Sequence, residues 1–466
     1  MNEHPVAIIG GGPVGLAAAA HLLERGERAI LFEAGATVGA SVLDWGHVRM
    51  FSPWQFNMDA ACVRLLEATG WTAPPPEELP TGAELYERYL RPVAELVIMQ
   101  GIIHRRARVV AVSRRHHDKM KDRGRDAAPF VLRVSQADDR ESQFLARAVI
   151  DASGTWHNPN PAGADGLPAL GESRSGVHQT RGQHQRIWYG IPDVRRGARD
   201  RYLGKRVMVV GSGHSAINTL LDLARLAAEE PKTSIVWALR GANLQRVYGG
   251  GEQDALPARG QLGASIRRAV AAGAMEMLAP FRISQIDDCG DALLIGGDLD
   301  GAFYSAEVEE LIICTGARPD LSVTRELRLD LDPVVESSRA LAPLIDPNLH
   351  SCGTVRPHGE AELRQPEKDF YIVGMKSYGR APTFLLATGY EQARSVVAAL
   401  AGDWEAARDV QLNLPETGVC VSDFADEQAC CDPIAVDCCA PAPIALDDIP
   451  LASSQAQLPA SITGRA

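Results

Sequence analysis

The 466-residue sequence predicts an α/β fold of two parallel-sheet domains, the second inserted in the first. Three observations carry that prediction. Two glycine fingerprints stand about two hundred residues apart, each behind an apolar run. They are Val6-Ala7-Ile8-Ile9-Gly10-Gly11-Gly12-Pro13-Val14-Gly15 and Val207-Met208-Val209-Val210-Gly211-Ser212-Gly213-His214-Ser215-Ala216. Two further apolar runs break at small-residue turns, Asp151-Ala152-Ser153-Gly154 and Cys314-Thr315-Gly316-Ala317-Arg318-Pro319. The length itself suits two or three domains at about 150 residues each.

In chain order, residues 5–10 read as a buried parallel strand. Residues 13–25 read as a small-residue helix closing near Gly26, and Ala29–Glu33 as the next strand. That is the β-α-β unit of a Rossmann-like domain. Gly10 permits the tight turn, Gly12 beside Pro13 lets backbone approach a pyrophosphate, and Gly15 allows close helix–strand packing. Glu33, at the second strand's end, suits the hydroxyls of an adenosine ribose. The position at the extreme N-terminus predicts FAD. Residues Trp45–Asp59 are too irregular for a regular element, 83–97 carry a helical pattern, and Val109–Val112 with Phe130–Val134 read as antiparallel strands around a basic loop. Ala148–Ala152 is a buried strand running into Ser153-Gly154-Thr155, and Pro and Gly at 158–171 mark a crossover.

The second β-α-β unit runs from Arg206 to Leu239. Gly211, Ser212, Gly213, His214 and Ser215 form its phosphate turn, and Ala216 in the third glycine position is compatible with NADP. Its second strand ends on Arg240 rather than an acid, and a guanidinium can pair with a 2′-phosphate. NADPH is therefore the second expected cofactor. Leu311–Thr315 ends at Gly316, Phe370–Val373 is followed by Gly374, and a helix from about Thr383 to Leu400 closes the fold. The predicted domains are 1–165 with 335–402 for FAD, 166–334 for NADPH, and 403–466 as an acidic, cysteine-rich flexible tail.

Hydrophobic content of 45% and charged content of 23% are those of an ordinary globular protein. No apolar run is long enough for a membrane helix, no signal peptide is evident, and a cytoplasmic protein is expected. A net charge of −12 argues against a nucleic-acid surface. Residues 406–466 hold nine acids and two bases, and five of the nine cysteines: Cys420, Cys430, Cys431, Cys438 and Cys439. Cys62, Cys289, Cys314 and Cys352 are scattered through the body, where no CxxC or CxxxxC pair occurs. The tail cysteines read either as soft-metalloid ligands or as an incidental cluster.

The order of fingerprint, Gly39–Trp45 segment, first turn, "GKRVMVVGSGHSA" at 204–216 and second turn resembles the class B flavin monooxygenases over about residues 5–400. The resemblance implies NADPH reduction of FAD, a flavin C4a-(hydro)peroxide formed with molecular oxygen, and oxygen transfer to a soft nucleophile. Two departures stand out. The Baeyer–Villiger fingerprint is absent, with His178 and Trp188 standing alone, and Gly374 is followed by Met375 and Lys376 where the wider superfamily has an aspartate. The stretches "DWGHVRMFSPWQFNMD" (44–59), "YGIPDV" (189–194), "YGGGEQDALPARGQLG" (248–263) and "GMKSYGRAPTFLLATGYEQ" (374–392) are similar to the ArsO-type monooxygenases of arsenic-resistance operons. That likeness implies a trivalent arsenical as the small-molecule substrate. It also implies Trp54 and Gln55 beside the isoalloxazine, a core position for Trp54 being the other reading. Arg49 and Lys376 are candidates for stabilising anionic flavin or the peroxide, a surface salt bridge being the other reading. Gly249–Gly251 with Arg259 is a candidate loop over the nicotinamide, and the helix near Thr383 is expected to aim its N-terminus at the flavin. A homodimer is compatible with this reading. The alternative function is a flavin-dependent NADPH disulfide or metal(loid) reductase using the tail's vicinal cysteines.

Overall fold

A computed structural model describes residues 4–138, 140–172, 186–248, 256–349, 357–382 and 384–412. The chain opens with β1 (Val6–Ile9), α1 (Pro13–Glu24) and β2 (Ala29–Phe32). All four residues of β1 are buried, because parallel neighbours flank it and both sheet faces are covered. Pro13 starts α1 where no N–H is needed, and Ala17, Ala18, Ala19 and Ala20 are fully buried. Their small size lets the helix lie close on the sheet.

The Trp45–Asp59 region is irregular, as expected, and is held from within. Asn57 is fully buried, donates to the carbonyls of Ser52 and Pro53, and accepts from the Ser52 hydroxyl. Asp59 then caps α2 (Ala60–Glu67), accepting from the N–H groups of Ala61 and Cys62. The helical pattern at 83–97 is realised as Gly82–Leu85, a π-helical stretch Tyr86–Leu90, and Arg91–Glu95. Pro92 has no N–H for the Arg88 carbonyl, which instead accepts the Trp71 indole N–H at 3.1 Å.

Next come β3 (Ile103–His104), then β4 (Ala107–Arg114), β5 (Phe130–Gln136) and β6 (Glu141–Ala146), an antiparallel sheet with one more strand than expected, and β7 (Ala148–Asp151). The basic loop between β4 and β5 is anchored rather than free. Arg114 and Arg125 both turn inward to Glu367, at 2.8 and 2.7 Å, with all three side chains at most 2% exposed.

The chain then leaves this sheet. It builds β8 (Ile187–Tyr189), β9 (Arg206–Val210), α3 (His214–Glu229), β10 (Ser234–Ala238), α4 (Pro257–Ala271) and β11 (Glu276–Leu278). An antiparallel meander not foreseen from the sequence follows, β12 (Phe281–Asp288), β13 (Leu293–Leu299) and β14 (Ala302–Val308), before β15 (Glu310–Ile313) rejoins the second sheet. Finally β16 (Phe370–Ile372) returns to pair with β7, and α5 (Leu386–Leu400) packs on α1. The strand orders β16-β7-β1-β2-β3 and β11-β10-β9-β15-β8 are thus two parallel sheets, the second inserted in the first.

Residues 403–412, assigned to the tail from sequence, belong to the body. Here α6 (Trp404–Arg408) is held by Asp403 to Arg25 at 2.8 Å, and its Ala406 and Ala407 carbonyls accept from Arg394 and Ser395. The α5 helix starts at Leu386, and Thr383 lies outside the described residues, as do His178, Gly249–Gly251, Cys352 and the five tail cysteines. Among the described residues no helix is long and apolar enough to cross a membrane.

The buried triad makes an acid-sensitive prediction. Burial opposes ionisation of Glu367, but hydrogen bonds from Arg125 and Arg114 outweigh it and hold its carboxyl below the usual range. Stability from this group is full above the unfolded-state value of about 4.3 and is lost as pH falls through the lower folded value. Glu367→Gln should cost about 3–5 kcal/mol in urea unfolding at neutral pH. It should also flatten the loss of stability below about pH 4.

Candidate functional site

Parallel strands bring the first set of turns to one sheet edge. Gly10, after β1, has φ +100°, and a Cβ there would sit 2.6 Å from the Ala152 carbonyl oxygen on the neighbouring turn. A Cβ on Gly15 would run into the Gly10 carbonyl, whereas one on Gly12 would meet nothing within 4 Å. Backbone crowding thus falls on Gly10 and Gly15, and open space on Gly12. Gly12 caps α1 without a side-chain bond, so the first N–H groups of the helix remain open to an anion. Glu33 accepts from Gly11 N–H at 2.7 Å and from Gly35 N–H at 2.6 Å, one through each oxygen. A carboxylate has about four acceptor positions, so two remain for ribose hydroxyls. Gly154, with φ +69°, also faces open space, and α5 begins without a side-chain cap. These are the features an FAD pyrophosphate and ribose require.

The second set repeats the logic. A Cβ on Gly211 would strike the Cys314 carbonyl, and one on Gly213 would meet nothing within 4 Å. The Trp237 indole N–H donates to the Gly211 carbonyl at 2.8 Å and fixes the turn. Ser212, Gly213 and His214 are exposed, Ser215 is half-buried, and Ala216 is fully buried where α3 meets the sheet. Arg240 is exposed and gives one N–H to the Ala164 carbonyl at 3.3 Å. A guanidinium has five donors, so a 2′-phosphate could still be met.

Two asparagines that sequence reasoning missed connect the sets. Asn160 donates to the Thr315 carbonyl at 3.0 Å, its own carbonyl accepts the Thr315 hydroxyl at 2.8 Å, and its N–H donates to Gly316. Arg318 N–H donates to the Asn158 carbonyl, and its Nε donates to Asn160 Oδ1. The two crossovers therefore run side by side. The repeated Asn-Pro of 158–161 was the available signal. Phe51, from the 44–59 stretch, packs its ring 5.0 Å from that of His214 at the start of α3. His47, on the same stretch, is held below the usual histidine pKa by burial, against the pull of Asp193 and Asp222 in the inserted part. These contacts place the first unit's aromatic loop against the second unit's phosphate turn.

The four catalytic candidates are dispersed. Trp54 is 1% exposed in the first core, with the Arg88 guanidinium 5.5 Å over its ring. Gln55 is exposed and donates to Glu77 at 3.2 Å. Arg49 is exposed, donating to the Leu79 carbonyl and lying 3.9 Å from Glu84, which is the surface salt-bridge reading. Lys376 is 2% exposed, and its ammonium is committed to Asp151 at 2.7 Å and Ser153 Oγ at 3.1 Å. Gly374, with φ +71°, donates its N–H to Gln392 Oε1. Among the described residues Cys62, Cys289 and Cys314 are free. Burial pushes the Cys314 thiol up to about 12, as suits a small core residue.

Gly12 and Gly15 separate ligand binding from folding. Gly12→Ala should leave the melting temperature unchanged while weakening dinucleotide retention about tenfold or more, as read by equilibrium titration. Gly15→Ala should lower the melting temperature itself, because its methyl group collides with backbone.

A family profile for the NAD(P)-binding Rossmann-like domain matches residues 8–61. No curated protein matches the sequence. Solved structures do match in fold. The bacillithiol disulfide reductase Bdr (YpdA) of Bacillus cereus is 17% identical with a TM-score of 0.61, covering 86% of this chain and 99% of that one. The ornithine N-hydroxylase KtzI of Kutzneria sp. 744, solved with reduced FAD, NADP+ and L-ornithine, is 16% identical at TM-score 0.56, covering 87% and 100%. The FAD-bound cadaverine monooxygenase DfoA of Erwinia amylovora is 11% identical at TM-score 0.57, covering 93% and 100%. The chain thus has the α/β fold with two Rossmann-like units that these enzymes have.

Proposed function

We propose that this protein is an FAD- and NADPH-dependent monooxygenase that transfers one oxygen atom to a trivalent arsenical. The observation that carries the reading is the pair of open glycine cradles, marked by Glu33 in one and Arg240 in the other, with Phe51 and His214 in contact between the two units. FAD, when bound, supplies two-electron transfer from NADPH and the activation of oxygen. Gly10, Gly12, Gly15, Ser153, Gly154 and Gly374 shape its cradle, and Glu33 holds its adenosine ribose. Gly211, Gly213, Thr315 and Gly316 shape the second cradle, and Arg240 takes the 2′-phosphate. NADPH gives two electrons, one oxygen atom goes to the arsenic lone pair, and the other leaves as water. The fold likeness to an ornithine N-hydroxylase and a cadaverine monooxygenase supports oxygen transfer, and the long stretches similar to the arsenic-operon enzymes support the substrate. The tail cysteines would deliver the arsenical as soft ligands.

One observation favours a second reading, a disulfide or metal(loid) reductase: the fold likeness to the bacillithiol disulfide reductase. The two differ in what consumes the electrons. Purified protein should carry FAD, oxidise NADPH faster with arsenite, and consume oxygen in proportion. NADPH oxidation that instead runs at full rate without oxygen, with a disulfide or Hg(II) as the electron acceptor, would establish the reductase. Arg240→Ala should raise the KM for NADPH about tenfold and leave that for NADH nearly unchanged. Deleting 413–466 should raise the KM for arsenite while sparing NADPH-to-FAD electron transfer; an unchanged KM rejects delivery by the tail.

A further inference from the structure

Lys376 and Asp151 form a buried ion pair at the meeting point of the first cradle's turns. Asp151 is fully buried at the end of β7, and Lys376 is 2% exposed just beyond β16. The ammonium donates to Asp151 Oδ2 at 2.7 Å and to Ser153 Oγ at 3.1 Å. The other carboxylate oxygen, Oδ1, accepts both the Ser153 hydroxyl at 2.6 Å and the Ser153 N–H at 3.1 Å. Ser153 therefore bonds to both charges, while its own side faces solvent. On the other flank Gly374 is held by Gln392, and a Cβ on it would lie 3.3 Å from Val14 at the start of α1.

The pairing of β7 with β16 does not need this arrangement. Val149, Ile150 and Asp151 are already in register with Phe370, Tyr371 and Ile372 through backbone. What the ion pair adds lies beyond the strand ends, in the turns. Two charges withdrawn from water are retained at a desolvation cost that an apolar pair would avoid.

We infer that Lys376 and Asp151 are positioning residues, a buried clamp that sets the Ser153–Gly154 turn against the Gly374 turn so that both meet FAD. The inference rests on the FAD reading above. The carboxylate comes from the end of β7, and the cation from just beyond β16. Lys376 then does not touch the reacting atoms, and its effect passes through Ser153.

The test compares melting temperature with FAD affinity, measured by titrating apo-protein and following flavin fluorescence. Lys376→Met leaves a lone buried carboxylate and should lower both. Asp151→Asn combined with Lys376→Met removes both charges and should restore the melting temperature, while FAD still binds about tenfold more weakly than to wild type. A double variant that melts and binds FAD like wild type overturns the clamp, because the pair then serves stability alone. Should that variant not fold, Ser153→Ala, which leaves the ion pair intact, decides. About tenfold weaker FAD at an unchanged melting temperature upholds the clamp, and unchanged affinity overturns it. Wild-type apo-protein that binds no FAD overturns the cofactor assignment and the clamp together.

Discussion

Parallel strands buried on both faces leave their polar ends at one edge, and the rest of this structure depends on how that edge is closed. At the first sheet β1, β7 and β16 end side by side. Their turns are crowded by backbone at Gly10 and Gly15 and left open at Gly12 and Gly154. The alanine face of α1 lets the helix approach the sheet closely, which puts its uncapped N-terminus over the same edge. The second sheet repeats the device with Gly211, Gly213 and α3.

Because the second unit interrupts the first, the first must be closed by segments far apart in the chain. Backbone pairing of β16 with β7 does part of this. Packing of α5 on α1 and buried ion pairs add to it. Glu367 joins Arg114 and Arg125 across 253 and 242 residues, and Lys376 joins Asp151 across 225. Each links a segment before the insertion to one after it. Buried charges of this kind are costly when left single, so each half of the domain is disfavoured without the other.

The two units meet through side chains and through backbone hydrogen bonds between the 158–160 and 316–318 crossovers. Phe51 against His214 and His47 beside Asp193 and Asp222 bring the aromatic loop of the first unit to the phosphate turn of the second. Asn158 and Asn160 hold the crossovers together next to the Thr315–Gly316 turn. Electron transfer between two dinucleotides requires such proximity, and a loop tied to Tyr390 of α5 through Asn57 is a firm base for it.

What could be read from sequence was local. The two fingerprints, their flanking strands, the contrast between Glu33 and Arg240, and the insertion follow from apolar runs and glycine spacing. Such patterns report backbone geometry within one β-α-β unit. The meander β12–β14, the inward turn of Arg114 and Arg125, the docking of α6 and the burial of Lys376 were not legible. The last three depend on partners tens to hundreds of residues away, which no local pattern encodes, whereas the meander pairs across short turns at 288–293 and 299–302. Lys376 shows the difference most clearly. Its sequence position, after a glycine at a cofactor turn, suggested a charge facing the flavin. Its tertiary setting commits that charge to Asp151 and Ser153, because a buried ammonium is stable only where a carboxylate meets it. Sequence alone thus determined where the dinucleotide cradles lie and how they differ, and tertiary structure decided which side chains line them and which brace them from behind.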